Sequence, residues 1–215
     1  PNVTPLSASG LKSVAAVLSP SSDGVAKSSA SALSLPMAKT PSERLQNWHE
    51  IALELTAADH ARGEAGYNAL GPHRSSRAMA IIHLAMYDAV NAITKKYRLY
   101  SSIPDAAANA PVSIDMAIAA AAYETMKSIY SLQSDRIDHA FGMDETRINK
   151  LLHQTIADPV ERKAARENGY QVGRSAAAAI LSARSTDNST LAEPDFGTAQ
   201  EAQNMPEKYV YFPPD

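Results

Sequence analysis

Residues 71–95 read Gly71-Pro72-His73-Arg74-Ser75-Ser76-Arg77-Ala78-Met79-Ala80-Ile81-Ile82-His83-Leu84-Ala85-Met86-Tyr87-Asp88-Ala89-Val90-Asn91-Ala92-Ile93-Thr94-Lys95. The Gly-Pro pair opens a helix, because proline has no N–H to lose at the first helical position. Met79, Ile81, Ile82, Leu84, Met86, Val90 and Ile93 then fall on nearly every side of it. A helix that is apolar all round belongs in a core, so this segment is expected to be central. Its polar residues need partners if they are buried. His83, Tyr87 and Asn91 recur every four residues with Asp88 beside them, which predicts a buried, mutually or locally hydrogen-bonded network across helices. A histidine near a carboxylate is also how a general base is built, but the structural role is the expectation here.

Outward from this segment, the other elements are helical too. Thr40-Pro41-Ser42-Glu43 has the form of a capping box with proline inside, and Leu45, Trp48, Ala52 and Leu55 follow as one apolar stripe that loosens around Gly63 and Gly66. Pro111 is expected to open an alanine-rich helix carrying Met116, Ala119, Ala122, Tyr123, Met126, Ile129 and Tyr130 and ending near Ser131. Ile137, Phe141, Ile148, Leu151, Leu152 and Ile156 mark a fourth, less regular segment with Gly142 as a weak point or break, which leaves two short helices open. Asp158-Pro159-Val160-Glu161 repeats the logic of the first start, and Gly169, Val172, Gly173, Ala176, Ile180 and Ala183 form a small-residue inward face suited to close packing. With no alternating apolar runs before the tail, the fold class is all-α, a bundle of about five helices.

Residues 1–39 are rich in Ser, Ala and Pro and read as an extended or disordered arm, with Leu11, Val14, Val17 and Leu18 leaving a short amphipathic turn open. Residues 40–186 are the bundle. Residues 187–215, with Pro194, Gly197, Pro206, Pro213 and Pro214, form an irregular tail.

Composition removes several function classes. With Lys+Arg 20 against Asp+Glu 23 and net charge -3, the chain lacks the basic footprint of a nucleic-acid binder. Zero cysteines exclude disulfides, thiolate zinc sites, iron–sulfur clusters and a cysteine nucleophile. The most apolar stretch, Met116 to Met126, is broken by Glu124 and falls short of the roughly 20 residues a spanning helix needs, so no membrane partner is expected. The chain begins at Pro1, from which the expectation is that a preceding segment has been removed; the compartment stays open, with a secreted or periplasmic location favoured.

No phosphate loop, nucleophile elbow or His-x-x-x-His pair occurs, and Glu50 and Glu54 lack the histidine of a Glu-x-x-His motif. No catalytic, cofactor-binding or metal-ligating residue is therefore assigned. Arg74 and Arg77, near a helix start where amides and dipole favour an anion, are the candidate anion site. Arginines three apart on a first turn are also commonly held by carboxylates of a neighbouring loop.

The run Arg77 to Ile93 resembles the second-helix signature of bacterial vanadium-dependent haloperoxidases. Tyr97 and Tyr100 after it, the helix ending Tyr123 to Tyr130, and Gly173 through Ala183-Arg184-Ser185-Thr186-Asp187 extend the resemblance over Trp48 to Asp187. It implies an all-helical enzyme related to type-2 phosphatidic acid phosphatases, built of two helical bundles. It also implies vanadate as cofactor of the complete enzyme, a Lewis acid activating peroxide for halide oxidation. In the family the C-terminal half binds vanadate through a Lys and Arg on one helix, a Ser-Gly-His segment, and a later Arg and a metal-bonding His.

This sequence departs from that pattern. Its Ser9-Gly10 is followed by Leu11, and its final third contains no Arg-x-x-x-x-His. The resemblance therefore implies an N-terminal helical half, with the catalytic half cleaved, separate or lost, and no vanadate bound by this chain alone. The expected partner is that half or a second polypeptide; self-association is compatible with the sequence. Two alternatives stay open: a related acid phosphatase-type phosphomonoester hydrolase, and a non-catalytic helical scaffold or interaction module.

Overall fold

The computed structural model describes residues 36–61, 68–69, 71–104, 106, 110–187, 189, 196–197 and 209–210. Residues 1–35 of the expected arm over 1–39, and most of the tail, lie outside the described residues. Among the described residues there are five α-helices: α1 (Pro41–His60), α2 (Pro72–Thr94), α3 (Ile114–Ile129), α4 (Ser134–Thr155) and α5 (Pro159–Ala183). The fold is an all-α bundle. Beyond it, β1 (Phe196–Gly197) pairs in parallel with β2 (Tyr209–Val210). No helix among the described residues is long and apolar enough to cross a membrane.

The helix starts follow from side-chain caps. The Thr40 hydroxyl accepts from Glu43 N at 3.2 Å, while the Glu43 carboxylate reaches back to Lys39 N at 2.6 Å, one residue beyond the reciprocal bond of a capping box. At α5 the Asp158 carboxylate accepts from Val160 N at 3.0 Å, with Pro159 in the first turn. α3 opens later than Pro111: Ser113 is its cap, taking Met116 N at 3.2 Å. Pro111 instead serves as a tether, its carbonyl accepting from the Asn168 side chain of α5 at 3.0 Å.

The central element is α3, not α2. α3 touches all four other helices, and every residue from Met116 to Ala122 is buried. α2 keeps Ala80 and Tyr87 exposed and Met79, His83, Leu84 and Val90 half-buried. Side-chain size contributes: alanines let neighbours pack close on every side of α3, whereas α2 buries one face, with Ile81, Ile82, Ala85 and Met86 in the core. Around α3, one stripe of α1 (Trp48, Ile51, Ala52, Leu55) and one of α4 (Ile137, Ala140, Ile148, Leu152) complete the core.

α5 lies against α3 through two glycines. A Cβ on Gly173 would sit 2.3 Å from the Ala117 carbonyl oxygen and 2.8 Å from Ala120 Cβ; on Gly169 it would sit 2.4 Å from the Ser113 oxygen. Ser113 N also donates to the Ala165 carbonyl at 2.9 Å. Ala176 and Ile180 continue the inward face, but Ala183, expected on it, is exposed and Val172 is half-buried. α4 runs unbroken through Gly142, because that residue is exposed and packing on both sides holds the helix together.

Gly173→Ala is therefore expected to destabilise by about 1–3 kcal/mol or more, since helix backbone cannot retreat from the added methyl. Gly142→Ala, with nothing within 4 Å of the new Cβ, is expected to stabilise by roughly 0.5–1 kcal/mol. Thermal melts of the two variants check both signs; equal melting temperatures contradict the packing.

Candidate functional site

The polar residues of α2 divide between two tasks. Asp88 is wholly buried, and its carboxylate accepts from Tyr100 N at 2.7 Å and Ser101 N at 2.8 Å. The Asn91 side chain accepts from Tyr97 N at 3.2 Å and donates to the Tyr87 carbonyl at 3.0 Å. The Tyr87 hydroxyl donates to the Arg98 carbonyl at 2.9 Å. All three bind segment 97–101, which turns back along α2 after Lys95 adopts a left-handed conformation at φ 51°. Tyr87, expected to be buried, is 39% exposed: its ring lies at the margin and only its hydroxyl is engaged. No single mutual network forms. Four-residue spacing puts these side chains on one stripe but does not make them meet.

His83 stands apart from this clamp. Its Nδ1 is 2.8 Å from the Met79 carbonyl and its Nε2 is 3.2 Å from Nδ1 of His49 on α1. The rings meet edge to face with centroids 5.1 Å apart.

Arg74 and Arg77 line a cavity of about 320 Å³ with Arg184, Ser128, Ser185 and Ser189. The Arg77 fork already holds an anion, because its Nε and Nη2 donate to the two Asp187 oxygens at 2.7 and 3.2 Å. Nη2 also donates to the Arg184 carbonyl at 2.8 Å, satisfying the C-terminal end of α5. This hydrogen bonding holds the Asp187 carboxyl down at about 2. The Arg184 guanidinium donates to the Tyr100 hydroxyl and lies 5.6 Å from its ring. Among the described residues no histidine lines this cavity, and those that do line it do not fit a vanadate bonded through an imidazole.

The most buried ionic cluster escaped the sequence reading. Arg44 of α1 is wholly buried; its Nε donates to Asp144 of α4 at 3.2 and 3.1 Å and its Nη1 pairs with Asp115 of α3. Trp48 Nε1 donates to Asp144 at 2.9 Å. Burial pushes the Asp115 carboxyl up, against the pull of Arg44. Asp59, also wholly buried, accepts from Asn68 N and Ala69 N, at 2.7 Å in the shortest bond. The signal was phase: Arg44, Asp59 and Asp144 sit in register with the apolar stripes of their helices, where a reading of apolar residues alone passes over them. Among the described residues no group of three or more His, Cys, Asp or Glu is placed to hold a metal ion.

These clusters are all cross-element ties. The model of the vanadium chloroperoxidase N-terminal domain matches residues 37–209. The chain belongs to that family. The vanadium chloroperoxidase N-terminal domain thus spans the α1 cap, all five helices and β1 as far as Tyr209. No curated protein and no solved structure matches the chain.

Asp88→Asn is expected to lower stability by about 1–3 kcal/mol, since the new amide turns a donor toward a backbone N–H; a thermal melt reads it, and an unchanged melt contradicts the clamp. The Asp187 tie follows pH in a fixed direction. Because its folded value is depressed from 3.8 to about 2, its contribution is complete above the ordinary value and is lost as pH falls between the two. An NMR titration of the Asp187 carboxyl is expected to show this depression, and Arg77→Ala to return it to the ordinary range.

Proposed function

We propose that this chain is the N-terminal helical half of a vanadate-dependent haloperoxidase-like enzyme, and that vanadate and peroxide are handled by a C-terminal catalytic half. The observation that carries this reading is the family match over residues 37–209. Two others support it. The sequence offers no counterpart to the Ser-Gly-His segment, and its final third none to the Arg-x-x-x-x-His segment. Several of the described charged groups are held by structural partners: Asp88 and Asp59 by backbone amides, Arg44 by two carboxylates, Arg77 by Asp187.

In this division residues 40–186 supply the bundle, residues 1–39 an arm, and residues 187–215 a connection toward the catalytic half. The bundle's role is to present a fixed surface to that half, and a rigid helical body does so without contributing a reacting group. Peroxide-dependent oxidation of halide is then an activity of the pair.

The purified 215-residue chain is expected neither to retain vanadate through gel filtration nor to brominate an acceptor with peroxide and bromide. A C-terminal polypeptide carrying the Ser-Gly-His segment, co-expressed with it, is expected to co-elute and to brominate in its company. Bromination by this chain alone, at verified mass, or failure of the two to co-elute, overturns the reading.

A further inference from the structure

We propose that His49 and His83 form a bidentate site for a late first-row divalent cation, of the class of Zn²⁺, Ni²⁺ or Cu²⁺, bridging α1 and α2. This site is independent of vanadate and of the proposed catalytic half.

The hydrogen-bond pattern fixes the rings. The Met79 carbonyl can only accept, so His83 Nδ1, 2.8 Å away, carries a proton and its Nε2 presents a lone pair. That lone pair faces His49 Nδ1 at 3.2 Å. In the neutral pair His49 therefore donates from Nδ1 and leaves its own Nε2 bare.

A cation can take the place of the shared proton. Two imidazole nitrogens bonded at about 2.0–2.1 Å to one tetrahedral ion lie roughly 3.3 Å apart, close to the observed 3.2 Å. The hydrogen bond and the edge of a coordination tetrahedron are thus nearly the same length, and only ring rotation is needed for the lone pairs to converge. The proton on His49 Nδ1 moves to Nε2, so no net proton is released from the neutral pair. The cation gains His49 Nδ1 and His83 Nε2 and gives up two of its waters. Its remaining positions stay with water, since no third His, Cys, Asp or Glu converges there among the described residues.

Three further features favour the ion. His83 already has the outer-sphere partner of a ligating histidine, a backbone carbonyl on its other ring nitrogen. Both rings are half-buried, reachable from solvent yet restrained by packing. They come from two different helices of one bundle, so their separation is set by the fold and not by side-chain search. Imidazole selects Zn²⁺, Ni²⁺ and Cu²⁺ over Mg²⁺ and Ca²⁺, and a chain with zero cysteines has no thiolate to compete.

The test uses the 215-residue chain with the metal alone. Zn²⁺ titration calorimetry at neutral pH is expected to saturate at one equivalent. His49→Gln and His83→Gln, each checked for fold by circular dichroism, are expected to weaken binding at least about tenfold, the loss that follows even from removing an outer-sphere partner. His153→Gln is expected to bind as the parent does. Should the two variants not fold, the electron paramagnetic resonance of one equivalent of Cu²⁺ on the unaltered chain decides: coupling to two imidazole nitrogens is expected. No saturable uptake, coupling to fewer than two imidazoles, or undiminished binding by a folded variant overturns the proposal.

Discussion

The backbones of α3 and α5 lie in contact at Gly169 and Gly173, with no room for even one methyl group between them. Much of the architecture follows from that approach. Helices this close exclude long side chains from the seam, which accounts for the unbroken alanines of α3 and for Ala165, Ala176 and Ala177 on α5. The seam also places α5 so that its backbone accepts Ser113 N and its Asn168 reaches Pro111, tying down the entry to α3. α2 packs on both helices of the pair, and α1 and α4 pack on the open flanks of α3.

Around the alanines, polar ties act together with large buried residues such as Trp48, Ile51, Leu55 and Ile137. Each tie joins different elements: Arg44 links α1 to α3 and α4, Asp59 holds the turn at Asn68 and Ala69, Asp88 holds segment 97–101, and Arg77 joins α2 to the turn after α5. Removing one partner from the ties of Arg44, Asp59 or Asp88 leaves a buried group uncompensated, which costs more than the intact tie contributes. The ties therefore specify one arrangement of the helices. That suits a vanadium chloroperoxidase N-terminal domain whose proposed task is to offer a fixed face.

Local chemistry made much of this legible in the sequence. Proline beside a Thr or Asp cap marks the starts of α1 and α5 to the residue, and Gly71-Pro72 marks that of α2. Loop carboxylates were an open reading for Arg77, and Asp187 is the one that fills it. What failed were inferences that depend on tertiary neighbours. Gly142 has ordinary helical surroundings on an exposed face, so an intrinsic preference predicted a break that packing overrides. Apolar residues all round α2 suggested a centre, but closeness of approach, set by alanine and glycine, chose α3. The Arg44 cluster and the His49–His83 pair each join residues from different helices, and no one-dimensional period brings such residues together.

If the α3–α5 seam is the element on which the bundle depends, it should be the last part to open. Native-state hydrogen exchange read amide by amide measures this directly. The account predicts that the amides of Ala117 to Met126 and of Gly169 to Ala177 exchange slowest, through global unfolding alone, while those of α1 and α4 exchange through smaller openings. Amides of the seam that exchange by local opening, faster than those of α1 or α4, would contradict it.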